Sequence, residues 1–338
     1  MGSRRCSPQA RAQRRALRKY LSGDDLGASI PVKEATIKGP GWDHIHQSPS
    51  MRLRGGHYAI APAAANERFA LEDGRKVCVF SDDKAISAAV AEAVAKIGAS
   101  CIADKGAFSI AIPGGSVVKA LSKLEPTAMD FTKVHVFFCN ERIGEYKCYK
   151  GATADDAFVT KCGIPLEQVH RVSEGSPQEV AVAYTALLQA QDDNVCSRRN
   201  GLPSIDLVLL GTGADGHCAS IYPDSAEVKA TGAGKMVLPI DAEGKKSVTL
   251  SIDAMSAASH AILAAATADR ASMVANALKT RVSRMPHLVT QGTNEPPSAN
   301  SDDHSCPSGL VMAGETVWFV DSESIAQHER RDDGSGAF

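Results

Sequence analysis

The chain has 338 residues, 43% of them hydrophobic and 22% charged, with a formal net charge of −2. That balance describes a globular protein and offers no charge-based case for binding nucleic acid or a membrane surface. Nine cysteines, an odd number without a Cys-x-x-Cys pair, point to a reducing compartment rather than a disulfide framework or zinc site.

In chain order, residues 1–66 do not read as core. Arg4, Arg5, Arg11, Arg14, Arg15, Arg18 and Lys19 all precede the first acid, Asp24. A basic, acid-poor start of this kind fits an organelle transit segment, and an untargeted basic tail fits it equally well. Met1-Gly2 opens a myristoylation pattern, but Cys6 stands where Ser or Thr is needed. From Lys76 the pattern becomes regular. Strands are predicted at Lys76–Phe80, Phe108–Ile112, 134–139, 205–210, 248–252 and 261–266. Between them, Ile86, Val90, Val94 and Ile97 recur at helical spacing, with Gly98 as the expected stop. Further helices are expected from Val117, around Val180–Leu188, and between Ala266 and Ser283. Residues 286–314, rich in Pro, Ser and Asn, are expected to form a surface loop. Strands alternating with helices imply a mainly parallel sheet covered on both faces. No apolar stretch is expected to cross a bilayer without interruption.

The most informative stretch is 205–223. An apolar run from Ile205 to Leu210 reads as a buried strand, broken by Gly211, Gly213 and Gly216. One or two helical turns are expected from His217 to Tyr222, stopped by Pro223. A strand, a glycine loop and a helix aim backbone N–H groups at one point beyond the sheet, where anions bind. His217 sits there, and an imidazole with an ordinary pKa of about 6.5 suits proton transfer near neutrality. The spacing Gly211-x-Gly213-x-x-Gly216 also matches a dinucleotide fingerprint. The long helix and second strand of that motif are missing, so a nicotinamide cofactor is not expected. Cys218 as a thiol nucleophile is disfavoured, because adjacent helical residues do not face each other.

The segment Asp206-Leu-Val-Leu-Leu-Gly-x-Gly-x-Asp-Gly-His-x-Ala-Ser-x-x-Pro223 resembles the signature of 6-phosphogluconolactonases. Pro113-Gly-Gly-Ser-Val-Val-Lys-Ala-Leu121, Val134-His-Val-Phe-Phe-Cys-Asn-Glu-Arg142 and Thr316-Val-Trp-Phe-Val-Asp321 are similar to three further family segments, in order. The resemblance implies a Rossmann-like α/β fold related to glucosamine-6-phosphate deaminase and ribose-5-phosphate isomerase. The domain is set at 67–325, after a 1–66 extension and before a 326–338 tail.

The same resemblance implies hydrolysis of 6-phospho-D-glucono-1,5-lactone in the oxidative pentose phosphate pathway, with no cofactor or metal. It assigns His217 as acid–base and Arg142 to the phosphate or the ester. Asp215 orients the histidine or simply caps the loop. Gly114, Gly115 and Ser116 cradle phosphate, with Gly213, Gly216 and Lys246 beside them. The partner is a phosphorylated sugar lactone, without nucleic acid; oligomeric state is open, and the location is a plastid or the cytoplasm.

Several residues depart from the family pattern. Pro113 replaces a Ser, Asn140 an Asp and Ser247 an Arg, and 150–156 lacks the usual Ser-Asn or Ser-Thr pair. Two alternatives therefore stand beside the lactonase: a catalytically weak relative serving as a binding or structural subunit, and a sugar-phosphate deaminase or isomerase.

Overall fold

The computed structural model describes residues 59–242, 244–280 and 303–328. The basic start, residues 281–302, which include the 286–302 part of the expected loop, and the end of the tail lie outside the described residues. A seven-stranded sheet dominates the described part, built from β1 (Glu67–Ala70), β2 (Lys76–Phe80), β3 (Phe108–Ile112), β4 (Val134–Phe138), β8 (Leu207–Gly211), β11 (His260–Ala265) and β12 (Glu315–Asp321). The strand order is β1-β2-β12-β11-β8-β3-β4. All neighbours are parallel except β1, which pairs antiparallel with β2.

Side chains on these strands alternate between two cores, as a period of two requires. Val208 and Leu210 of β8 join Phe137, Leu263 and Trp318 on one face. Leu207 and Leu209 join Ile110, Phe138 and Phe319 on the other. Helices α1 (Asp83–Lys105) and α2 (Ser116–Leu121) cover the second face through Ile86, Val90, Val94, Ile97 and Leu121. The helices α3 (Lys147–Thr153), α4 (Phe158–Cys162), α5 (Pro177–Gln189), α6 (Ala226–Lys229), α7 (Ile252–Ser256) and α8 (Ala271–Lys279) complete the set among the described residues. Of these, α5 and α8 cover the first face through Val180, Tyr184, Leu188, Val274 and Ala277. A three-stranded sheet, β5 (Asn140–Arg142), β10 (Lys245–Leu250) and β9 (Val237–Ala242), and a hairpin of β6 (Ser197–Arg199) and β7 (Leu202–Ser204) stand apart.

Several expectations change. Gly98 does not stop α1, which runs on to Lys105 and is closed by Gly106. Position 98 faces Met129 and Phe108, leaving no room for a side chain. By length and composition α1 has what a membrane span needs; it instead packs Ile86, Val90, Val94 and Ile97 on the sheet. The strand expected at 134–139 ends at Phe138, and Asn140–Arg142 leaves for the small sheet. The strand expected at 248–252 starts earlier, at Lys245, and Ile252 already begins α7. His217 to Tyr222 is not helical. Ala219 takes a left-handed φ of 52°, and Cys218 bridges to both Thr212 and Ile221. That tight turn buries Cys218 and Ile221 completely, which a solvent-facing helical turn would not. Within the expected surface loop, Pro307–Leu310 is a buried 3₁₀ turn. Packing also begins before the expected boundary at 67: Ile60 is fully buried, and its N–H donates to Glu315.

Candidate active site

The parallel strands share one carboxyl edge, and the segments leaving that edge line a cleft of about 470 Å³. Asp83 and Ser87 come from beyond β2, Gly114 and Gly115 from beyond β3, and Asn140 from beyond β4. Thr212, Gly213 and His217 follow β8, while Thr267 and Arg270 follow β11.

The loop after β8 is folded on itself. Gly213 N–H donates to the His217 carbonyl at 2.9 Å, and Gly216 N–H donates to the Gly213 carbonyl at 3.0 Å. Asp215 Oδ1 accepts from the His217 backbone N–H at 3.1 Å and lies 2.6 Å from His217 Nδ1. A carboxylate acceptor there fixes the proton on Nδ1 and leaves Nε2 with a free lone pair. The His217 ring also packs against half-exposed Tyr222, with centroids 4.7 Å apart. Partial burial pushes the Asp215 carboxyl up, but bonds from the His217 backbone and ring outweigh it and hold the group below its ordinary range. The pair presses directly over Gly213, where any Cβ would collide with His217 Nδ1 and Asp215 Oδ1.

Other expected residues fall into two groups. Gly114 and Gly115 line the cleft, and Gly115 holds φ 83° and ψ −148° at the start of α2, a conformation suited to glycine. Ser116 is the first residue of that helix. Arg142, Lys246 and Gly216 are not among the lining residues. Arg142 lies on β5 opposite Ser247, and its guanidinium pairs with Glu145 at 3.3 Å. Lys246 lies on β10 opposite Asp241 and is exposed. Gly216 packs against Cys306, and its carbonyl accepts from Ser308 N–H. Cys218 is fully buried, and that burial raises its thiol pKa far above the ordinary value, which removes it as a nucleophile.

Sequence reasoning missed Arg270 and Thr267. Arg270 is the one permanent cation among the described residues lining the cleft. Its Nε donates to the Thr212 carbonyl at 3.1 Å, tying the ends of β8 and β11 together. Asn140 donates to Ser220 Oγ at 2.8 Å, while its buried Oδ1 has no protein partner. Among the described residues, no group of three or more His, Cys, Asp or Glu is placed to hold a metal ion.

The family model for glucosamine-6-phosphate isomerases and 6-phosphogluconolactonases matches residues 81–296. A probable chloroplastic 6-phosphogluconolactonase of Oryza sativa subsp. indica is 34% identical over 43% of this chain, the match spanning 47% of that relative. A second from the same plant is 27% identical over 76% of this chain and 78% of the relative. The 6-phosphogluconolactonase structure from Thermotoga maritima superposes with a TM-score of 0.55 at 18% identity, over 73% of this chain and 99% of that one. On the family match, with the shared architecture, the chain belongs to the glucosamine-6-phosphate isomerase/6-phosphogluconolactonase family.

Proposed function

We propose that the protein hydrolyses 6-phospho-D-glucono-1,5-lactone to 6-phosphogluconate. The observation that carries this reading is the His217–Asp215 pair, with Nδ1 engaged at 2.6 Å, at the edge of a cleft that also holds Arg270. Nε2 accepts a proton from water as the hydroxide adds to the lactone carbonyl. The tetrahedral intermediate then collapses, the bond from the carbonyl carbon to the ring oxygen breaks, and the imidazolium returns its proton to that oxygen. Water is the sole co-reactant. The phosphate is held by Arg270 and by the backbone of Gly114, Gly115 and Ser116, with Arg142 a second cation farther out. Asp215 keeps the ring in the working tautomer and orientation.

The test is lactone hydrolysis corrected for spontaneous opening. His217→Ala and His217→Gln are each expected to lower turnover by about a hundredfold or more, the usual range for a lost general acid–base. A wild type no faster than spontaneous opening overturns the reaction and leaves the chain as a non-catalytic member of its family. For location, two relatives carry chloroplastic names, which favours a plastid over the cytoplasm, and the basic, acid-poor start is compatible with a transit segment. A fluorescent fusion of residues 1–66 that stays out of plastids in a plastid-bearing cell removes that reading.

A further inference from the structure

Thr267 stands where the chain leaves β11 for α8, with φ 77° and ψ 152°. A β-branched residue in this region is strained, and such strain persists only where the surroundings over-determine it. They do so here. The Thr267 N–H donates to Asp321 Oδ2 at 2.9 Å, and Asp321 is itself 4% exposed and bound through Oδ1 to Ser324 N–H at 2.8 Å. Glycine would take this backbone without strain, so the side chain is the feature to be explained.

The hydroxyl of Thr267 bonds the Asp269 carboxylate and accepts from Arg270 Nη1 at 3.1 Å. The same Nη1 donates to both Asp269 oxygens and to the Ala266 carbonyl, each at 3.1 Å. With Nε on the Thr212 carbonyl, the guanidinium is pinned to the ends of two strands, and Nη2 takes no part in any of these bonds. Arg270 also sits at the N-cap of α8, where the helix dipole disfavours a cation. Asp269 offsets that on one side, and an anionic ligand in the cleft would offset it further.

We propose that Thr267 is a positioning residue: it holds Asp269 and Arg270 so that the cation grips a substrate phosphate at a fixed place relative to His217. This rests on the lactonase reading for the substrate but on the geometry alone for the anion.

The test compares full-length Thr267→Gly and Thr267→Ser, both confirmed to melt cooperatively, by steady-state kinetics and by calorimetric titration with inorganic phosphate. Thr267→Gly is expected to raise KM for the phosphorylated lactone and Kd for phosphate by about three- to tenfold, the scale of one ordinary hydrogen bond, with kcat close to wild type. Thr267→Ser is expected to restore both to within about twofold, because it keeps the hydroxyl. Unchanged KM and Kd in Thr267→Gly overturn the proposal, as does a Ser variant as impaired as the Gly variant. A wild type without lactonase activity whose phosphate Kd still rises in Thr267→Gly upholds this proposal while removing the reaction.

Discussion

Two aspartates flank β8, one at each end, and their settings are opposite. Asp206, at the amino end, is 4% exposed. Its Oδ1 meets Lys105 Nζ at 2.8 Å, and its Oδ2 accepts from the Ser109 N–H and hydroxyl at 2.8 and 3.0 Å. Burial raises its pKa, with Lys105 and Ser109 pulling it partly back. Asp215, at the carboxyl end, has a side chain 48% exposed and shares one oxygen with His217. The first carboxylate is consumed by the fold. The second engages Nδ1 of His217 and, on the proposed reading, leaves the other ring nitrogen free to move protons. On that reading, the end of the parallel strand an acid occupies decides whether it serves packing or chemistry.

The comparison breaks most sharply at Asp206. Asp206→Ala is expected to cost about 3–5 kcal/mol in denaturant unfolding, because Lys105 loses its buried partner. Turnover per folded molecule should hold, and a cost below about 1 kcal/mol would show that the pair is dispensable. At the other end, Gly213→Ala should leave stability largely intact yet lower turnover by about a hundredfold, since the new Cβ displaces the His217–Asp215 pair. Near wild-type turnover would mean the pair is not held as described. Arg270→Ala should weaken binding of the phosphorylated lactone by about 1.5–3 kcal/mol relative to the unphosphorylated one. Arg142→Ala, already paired with Glu145, should show the same selectivity but a smaller loss; the reverse order would return the phosphate to Arg142.

A separate effect concerns acid stability away from the site. His170 stacks on Phe137 with centroids 4.4 Å apart, and its Nε2 lies 3.1 Å from His135 Nδ1. Burial, then the neighbouring His135, lowers its pKa from 6.5 to about 4. Between those values the unfolded chain binds the proton and the folded chain does not, so stability falls as pH drops through that window. His170→Phe keeps the stack and should flatten that part of the stability–pH curve; an unchanged slope would assign the acid sensitivity elsewhere.

Most of the sheet was legible because parallel strands buried on both faces leave short apolar runs. Lys76–Phe80 and Phe108–Ile112 are found as expected. The His217–Asp215 contact was legible because both residues sit in one loop, two positions apart. Residues 217–222 misled because their apolar members, Cys218 and Ile221, are buried by a bridged turn rather than by helical periodicity. Arg142 was expected near the cleft because it adjoins a strand end, and Lys246 because it stands beside Ser247, where the family often has an Arg, but β5 and β10 pair with each other in a separate sheet. Arg270 and Thr267 gave no local signal: their place depends on β11 lying beside β8, a long-range fact of topology.

The sulfurs around the cleft have a practical consequence. Cys139, Cys148 and Cys218 are buried behind its walls, and burial raises each thiol above its ordinary pKa. Scarce thiolate and closed access make them inert in the folded state. Alkylation of Cys218 therefore reports how often its loop opens rather than how reactive its sulfur is. Cys78, buried within β2 on the far side of the sheet from Cys218, supplies the matching reading for the sheet itself. Labelling both in one sample would time breathing of the loop after β8 against unfolding of the whole, with no probe added to the sequence.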